Sequence, residues 1–197
     1  MTSQTSESKR VARTALPKFN RGFSLLELVV VIGIISVLLV IAIDRLRNFQ
    51  IAAERVAMEQ VLGALRSAIG IEMSRRVVTE GFSAVIAMDG QNPMNYLAQR
   101  PYNYLGELDG VDPETIQGSI WYFDKSVELL VYRVDNEAWF KTELEGKPRA
   151  EFRQTLVYTD QNNNGRFDRG DEVGGFGLSP VSPYRWLIST DNFADLK

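Results

Sequence analysis

Residues 21–43 read Arg21-Gly22-Phe23-Ser24-Leu25-Leu26-Glu27-Leu28-Val29-Val30-Val31-Ile32-Gly33-Ile34-Ile35-Ser36-Val37-Leu38-Leu39-Val40-Ile41-Ala42-Ile43. From Leu28 to Ile43 sixteen consecutive positions carry no charge, and only Gly33 and Ser36 interrupt the large side chains and Ala42. As a helix, the 21 residues from Phe23 to Ile43 measure about 32 Å at ~1.5 Å per residue, enough to cross a hydrocarbon core of about 30 Å. The β-branched residues are compatible with a strand, but a run this long without turn residues is better satisfied as a helix, which closes its own backbone hydrogen bonds in lipid.

The flanks narrow the meaning of this run. Lys9, Arg10, Arg13, Lys18 and Arg21 precede it against a lone Glu7, so residues 1–22 carry +4 and the remainder −7 of a total −3. Basic residues before an apolar span hold that end on the cytoplasmic side. A cleaved secretory signal has a shorter core that ends at small residues, whereas this run continues into Asp44-Arg45-Leu46-Arg47. A plain anchor explains the length but not Glu27, a carboxylate one turn inside the run, where ionisable groups are costly and functional.

Arg21-Gly22-Phe23-Ser24-Leu25-Leu26-Glu27-Leu28 followed by the apolar run resembles the processing and methylation signature of type IV pilins and type II secretion pseudopilins. The resemblance implies that residues 1–22 are a cytoplasmic leader, that prepilin peptidase cuts between Gly22 and Phe23, and that Phe23 is then N-methylated. It makes Glu27 the fifth residue of the mature chain and its assembly residue. A carboxylate in hydrocarbon needs a partner, and in a filament the α-amino group of a neighbour's Phe23 is one. Many members of the family carry a kinking Pro where this chain has Asp44, which cannot kink a helix in that way.

Composition excludes much else. There is no Cys, hence no disulfide, thiolate metal site or thiol nucleophile, and no His, hence no Ser-His triad. No catalytic residues are assigned, and the expectation is that the chain is not an enzyme. The acidic body offers no basic aromatic patch of the kind nucleic-acid binders use, so no nucleic-acid partner is expected.

Beyond Asp44, Leu46, Phe49, Ala53, Val56, Ala57, Val61, Ala64, Leu65, Ala68 and Ile69 recur at three- and four-residue steps, with Arg45, Glu54, Arg55, Glu59 and Arg66 between them. This predicts one helix from about Phe23 to about Val77: a membrane or filament-core part over 23–43 and an amphipathic continuation over 44–78. Residues 79–118, punctuated by Gly81, Pro93, Pro101, Gly106, Gly110, Pro113 and Gly118, read as a connecting region. Ser119–Phe123, Leu129–Val134 and Arg149–Thr159 read as strands, the first two joined by a hairpin at Asp124-Lys125-Ser126. Trp121, Tyr122, Trp139 and Phe152 are expected in the core. The fold class is α+β, a pilin-like long helix laid on an antiparallel sheet within residues 119–197.

One stretch carries site chemistry. In Asp160-Gln161-Asn162-Asn163-Asn164-Gly165-Arg166-Phe167-Asp168-Arg169-Gly170-Asp171, side-chain oxygens fall at positions one, three, five, nine and twelve, with Gly at six and Phe at eight. That is the spacing of a calcium loop, with the Arg166 carbonyl as the seventh-position ligand. The expected metal ligands are therefore Asp160, Asn162, Asn164, Arg166, Asp168 and Asp171, with calcium as cofactor. The helix-loop-helix context of an EF-hand is missing, and the loop is similar to dockerin-type and other isolated extracellular loops. A solvated Asn/Gly-rich turn is the alternative.

The expected function is a structural subunit of a type II secretion pseudopilus or a type IV pilus. Its expected partners are other pilin or pseudopilin subunits, prepilin peptidase and the inner-membrane assembly platform. The expected location is a single pass in the bacterial inner membrane with the C-terminal domain in the periplasm, and the filament or cell surface after assembly. The alternative is a membrane-anchored, calcium-dependent binding module or specialised minor pilin that captures an extracellular ligand.

Overall fold

A computed structural model of the chain describes residues 23–167 and 170–187. It divides into two units, Met1–Ile43 and Asp44–Lys197. Helix α1 (Leu25–Thr79) is continuous through Asp44. Its first part has the length and apolar character to cross a membrane, and none of that part is buried.

In the second unit α1 buries Ile51, Glu54, Met58, Leu62, Leu65 and Ile69. These fall at steps of three and four, the stripe that a 3.6-residue period sets on one face, but it is not the face expected from the sequence. Of that set only Leu65 and Ile69 are buried, while Leu46, Phe49, Ala53, Val56, Ala57 and Ala64 are exposed, because the sheet takes the neighbouring face with the larger Ile51, Met58 and Leu62. The stripe packs against a five-stranded sheet in the order β1-β2-β3-β5-β6, where β1 is Tyr104–Leu108, β2 Ile120–Asp124, β3 Leu129–Arg133, β5 Arg149–Thr159 and β6 Glu172–Pro180. A separate ribbon pairs β4 (Phe140–Thr142) with β7 (Tyr184–Trp186). A short helix α2 (Phe82–Ile86) and turns at Pro93–Tyr96, Pro113–Thr115 and Glu137–Trp139 complete the described chain. The architecture is α+β, a long helix on a sheet.

The core follows from strand alternation. Trp121 and Phe123 of β2, Leu130 and Tyr132 of β3, and Phe152 of β5 join the helix stripe in one cluster. Trp121 lies 4.7 Å from Tyr132 and 6.1 Å from Phe152, centroid to centroid. Tyr122, Leu129 and Val131 point to the other face, where Ile116, Val111 and Leu108 cover them. With both faces covered, every residue of β3 is buried.

The hairpin at Asp124 forms as its sequence demands: Asp124 Oδ1 accepts from Ser126 N at 2.9 Å, Ser126 Oγ at 2.6 Å and Gly110 N at 3.0 Å. Three features differ from expectation. First, β1 lies inside the stretch that reads as a connecting region, and it pairs with β2 in parallel, so the sheet is mixed. Its five residues include Gly106 at φ 113°, beside a register irregularity, and such a strand is too short and too weak in propensity to announce itself. Secondly, β6 is a Gly-rich strand, Glu-Val-Gly-Gly-Phe-Gly-Leu-Ser-Pro, held by its pairing along β5. Thirdly, Trp139 is not in the core. It sits on the Glu137–Trp139 turn with 39% of its surface exposed. The turn aims the next residue inward instead, and Phe140 takes the core place, its ring 5.0 Å from Trp186 and 5.4 Å from Tyr184.

Glu54 is the largest departure from the helix pattern. Sequence spacing puts it among the charged residues of the solvent side, yet it is 8% exposed. Its Oε1 accepts from Asp135 N at 2.7 Å, Tyr132 Oη at 3.1 Å and Ser119 Oγ at 3.4 Å. Its Oε2 accepts from Asn136 N at 3.0 Å and Asn136 Nδ2 at 2.6 Å. One helix carboxylate thus satisfies the backbone where β3 ends, the role that an unpaired buried amide requires of some partner. Burial, and then the negative charge of Glu54, push the Tyr132 hydroxyl above its ordinary pKa.

Candidate assembly segment and cation loop

At the start of α1, Ser24 Oγ accepts the Glu27 amide at 3.1 Å, and the Ser24 carbonyl accepts the Leu28 amide at 3.1 Å. Ser24 is therefore the N-cap and Glu27 the third helical residue, the S-x-x-E arrangement that opens many helices. The pattern was legible in the sequence, and it gives Glu27 a local benefit, because a carboxylate in the first turn faces the positive end of the helix dipole. Farther along, Ser36 Oγ donates to the Ile32 carbonyl at 2.8 Å, so the polar group inside the apolar run is satisfied within its own helix.

Every side chain from Phe23 to Ile43 is exposed, with Phe23 at 74% and Leu25 at 82%. An apolar helix bare on all sides is stable only when lipid or other helices cover it. Gly22 and the rest of residues 1–22 lie outside the described residues, so of the processing site the structure describes the Phe23 side only.

The second candidate joins β5 to β6. The last pair of that ladder is Thr159 with Glu172, so the register sets Asp160 and Asp171 side by side as the first residues beyond it. Asp171 Oδ1 accepts the Gln161 amide at 2.9 Å and closes the loop at its base. Asp160 Oδ2 accepts the Gly165 amide at 2.7 Å, while Asp160 Oδ1 and Asn162 Oδ1 share the Asn164 amide at 3.3 and 3.0 Å. Asn164 Oδ1 accepts the Arg166 amide at 2.8 Å. Positive φ at Asn163 (54°) and Gly165 (75°) makes the tight turn, a conformation that Asn and Gly tolerate. Phe167 anchors the far side against Tyr158, edge to face at 5.4 Å.

This arrangement concentrates oxygens. The Gly165 amide, with other loop amides behind it, holds the Asp160 carboxyl below the usual carboxylate range. Asp160, Asn162 and Asp171 are drawn together by the loop amides they accept, and all three bring oxygens of the kind a hard cation takes. Asp168 lies outside the described residues, and among the described residues no three acidic side chains converge as a metal cluster. The donor set is all oxygen, the chemistry that calcium takes and softer metals do not.

Sequence reasoning missed Glu54 as a key residue of this unit. The sequence carries no signal for it, since its five donors come from 65 to 82 residues away. Among the comparisons with known proteins, residues 17–43 match the family model described as the prokaryotic N-terminal methylation motif. No curated protein and no solved structure matches the chain.

Proposed function

We propose, from the premise that the methylation motif over residues 17–43 marks the chain as type IV prepilin-like, that it is a structural filament subunit. The observation that carries the reading is the coincidence of that motif with an apolar helix whose every side chain from Phe23 to Ile43 is exposed. Before assembly, lipid covers this helix as a single-pass anchor. After assembly, the same helices of neighbouring subunits cover it. Prepilin peptidase cleaves between Gly22 and Phe23, Phe23 is methylated, and the new α-amino group becomes the cationic partner for Glu27 of another copy. The second unit stands on the periplasmic side.

The test is the intact mass of the protein from its native membranes. The expected mass is that of a chain starting at Phe23 and heavier by one methyl group, about 14 Da. Gly22→Ala is expected to leave the chain full length and unmethylated. A full-length mass in both proteins would remove the filament reading and leave an anchored module.

The β5–β6 loop supports the finer part of the proposal. We assign it calcium, held by the side chains of Asp160, Asn162, Asn164, Asp168 and Asp171 with the Arg166 carbonyl, a charge-neutralising clip on an exposed hairpin end. In this reading the loop, together with the lack of Cys, favours a secretion pseudopilus over pili that staple a C-terminal loop with a disulfide. Asp160→Ala is expected to lower the melting temperature in calcium and to have little effect in chelator. Equal losses in both conditions would leave a solvated turn.

A further inference from the structure

Where β3 ends, the second unit carries a groove with a cavity volume of about 510 Å³, lined among others by Arg47, Gln50, Asp135, Asn136, Glu137 and Trp139. That is the size of small-molecule sites, about 300–1,000 Å³. Its charges are divided. Arg47 belongs to α1 and Asp135, an exposed residue, to the turn after β3, and both line the groove. Glu137 is already engaged by the buried Arg133. Among the described residues, no ion pair within 4.0 Å involves Arg47 or Asp135. The Asp135 wall is held in place, because Glu54 fixes both the Asp135 amide and the Asn136 side chain. A groove lined by one cation and one anion that do not pair with each other is complementary to a zwitterion.

The chain path says which zwitterion is at hand. Arg47 follows Ile43, the end of the apolar run, by four residues, so whatever the local path their Cα atoms are at most about 14 Å apart. Each headgroup layer of a bilayer is about 5–8 Å thick, and an Arg side chain extends toward it. Trp139, 39% exposed at the groove, has the amphipathic ring that favours a membrane–water boundary. Leu46 and Phe49, 59% and 71% exposed, flank Arg47 in sequence with further apolar surface.

We infer that this groove binds the headgroup of a phospholipid bearing both a phosphate and a primary ammonium, phosphatidylethanolamine, with Arg47 on the phosphate and Asp135 on the ammonium. The inference rests on the reading of residues 23–43 as a membrane span. A primary ammonium donates three hydrogen bonds, which the quaternary ammonium of phosphatidylcholine lacks. Phosphatidylglycerol has no cation to meet Asp135 and is repelled by it. The lipid steadies the membrane-held subunit before it leaves the bilayer for the filament.

The test uses the full chain in nanodiscs of equal parts phosphatidylethanolamine, phosphatidylglycerol and phosphatidylcholine, with native mass spectrometry of the released protein and its retained lipid. Retention of phosphatidylethanolamine over either other lipid by about fivefold is expected, the scale that exposed charge pairs support. Arg47→Gln and Asp135→Asn are each expected to abolish the preference, and the exposed Asp109→Asn to keep it. A chain that enters nanodiscs but retains the three lipids equally, or prefers phosphatidylglycerol, overturns this inference alone. A chain that does not enter nanodiscs overturns the membrane reading together with it.

Discussion

Glu54→Ala is expected to destabilise the second unit by about 3–5 kcal/mol, the range for removing one partner of a buried charged network. The substitution deletes the acceptor of five donors: the Asp135 and Asn136 amides, the Asn136 side chain, Tyr132 and Ser119. Tyr132 is 2% exposed, so its hydroxyl keeps only the Ser119 side chain as a partner. Two backbone amides at the end of β3 lose the group that orders them, and the turn leading to Phe140 loosens. For a unit of this size the loss corresponds to roughly 6–20 °C in melting temperature. Glu54→Gln keeps the shape but sets an NH₂ among donors, so most of the loss is expected to remain. Asn136→Ala leaves the carboxylate its other partners and is expected to cost less. The measurement is urea unfolding of the full chain in detergent, followed by tryptophan fluorescence. A loss below about 1 kcal/mol for Glu54→Ala would mean that water replaces the carboxylate at little cost.

The second large effect is on assembly. Glu27→Gln is expected to leave membrane insertion and cleavage unchanged and to reduce incorporation into filaments by about 10²–10⁴-fold. The factor follows from the cost of leaving one member of a buried charge pair alone, about 3–5 kcal/mol at ~1.4 kcal/mol per factor of ten. Gln is the informative replacement, because the third position of the S-x-x-E cap accepts Glu or Gln alike. The Ser24 Oγ hydrogen bond is to the backbone amide of residue 27 and is kept by any side chain there, so only the charge is removed. Quantitative blotting of the sheared filament fraction against the membrane fraction measures the ratio. A variant that incorporates within about fivefold of the parent would reduce Glu27 to its favourable place at the helix dipole, worth about 0.3–1 kcal/mol.

The two carboxylates illustrate what a linear reading detects. Glu27 stands out because its sixteen following neighbours carry no charge, a local contrast that needs no structure. Glu54 stands in a stretch that also holds Arg55 and Glu59, which pair with each other at 2.8 Å on the exposed side. One step around the helix separates a solvated ion pair from a buried hub, and nothing within a few residues says which is which. The cation loop lies between these cases. Its ligand types and the turn-forming Gly165 are legible one residue at a time, but the approach of Asp171 to Asp160 depends on the pairing of Thr159 with Glu172.

The sequence by itself determined the elements whose signals are local. The apolar span follows from its lack of charge, and the helical period beyond it is legible, but the face it buries is not: Leu46, Phe49 and Val56, expected in the stripe, are exposed, and Ile51, Met58 and Leu62 are buried instead. Strand β5 spans Arg149–Thr159, announced by the β-branched and aromatic Phe152, Thr155, Val157, Tyr158 and Thr159. The β2–β3 hairpin turns at Asp124 because that side chain binds its own turn. Only the tertiary structure decided the parallel addition of β1, the ordering of Gly-rich β6, the exchange of Trp139 for Phe140 in the core and the burial of Glu54. Each of these is stabilised by partners remote in sequence: Trp121 for Tyr104, the whole of β5 for β6, Trp186 for Phe140, and the turn after β3 for Glu54. Contacts of that range cancel or override the preferences of the residues that make them, which is why they appear only once the chain has folded.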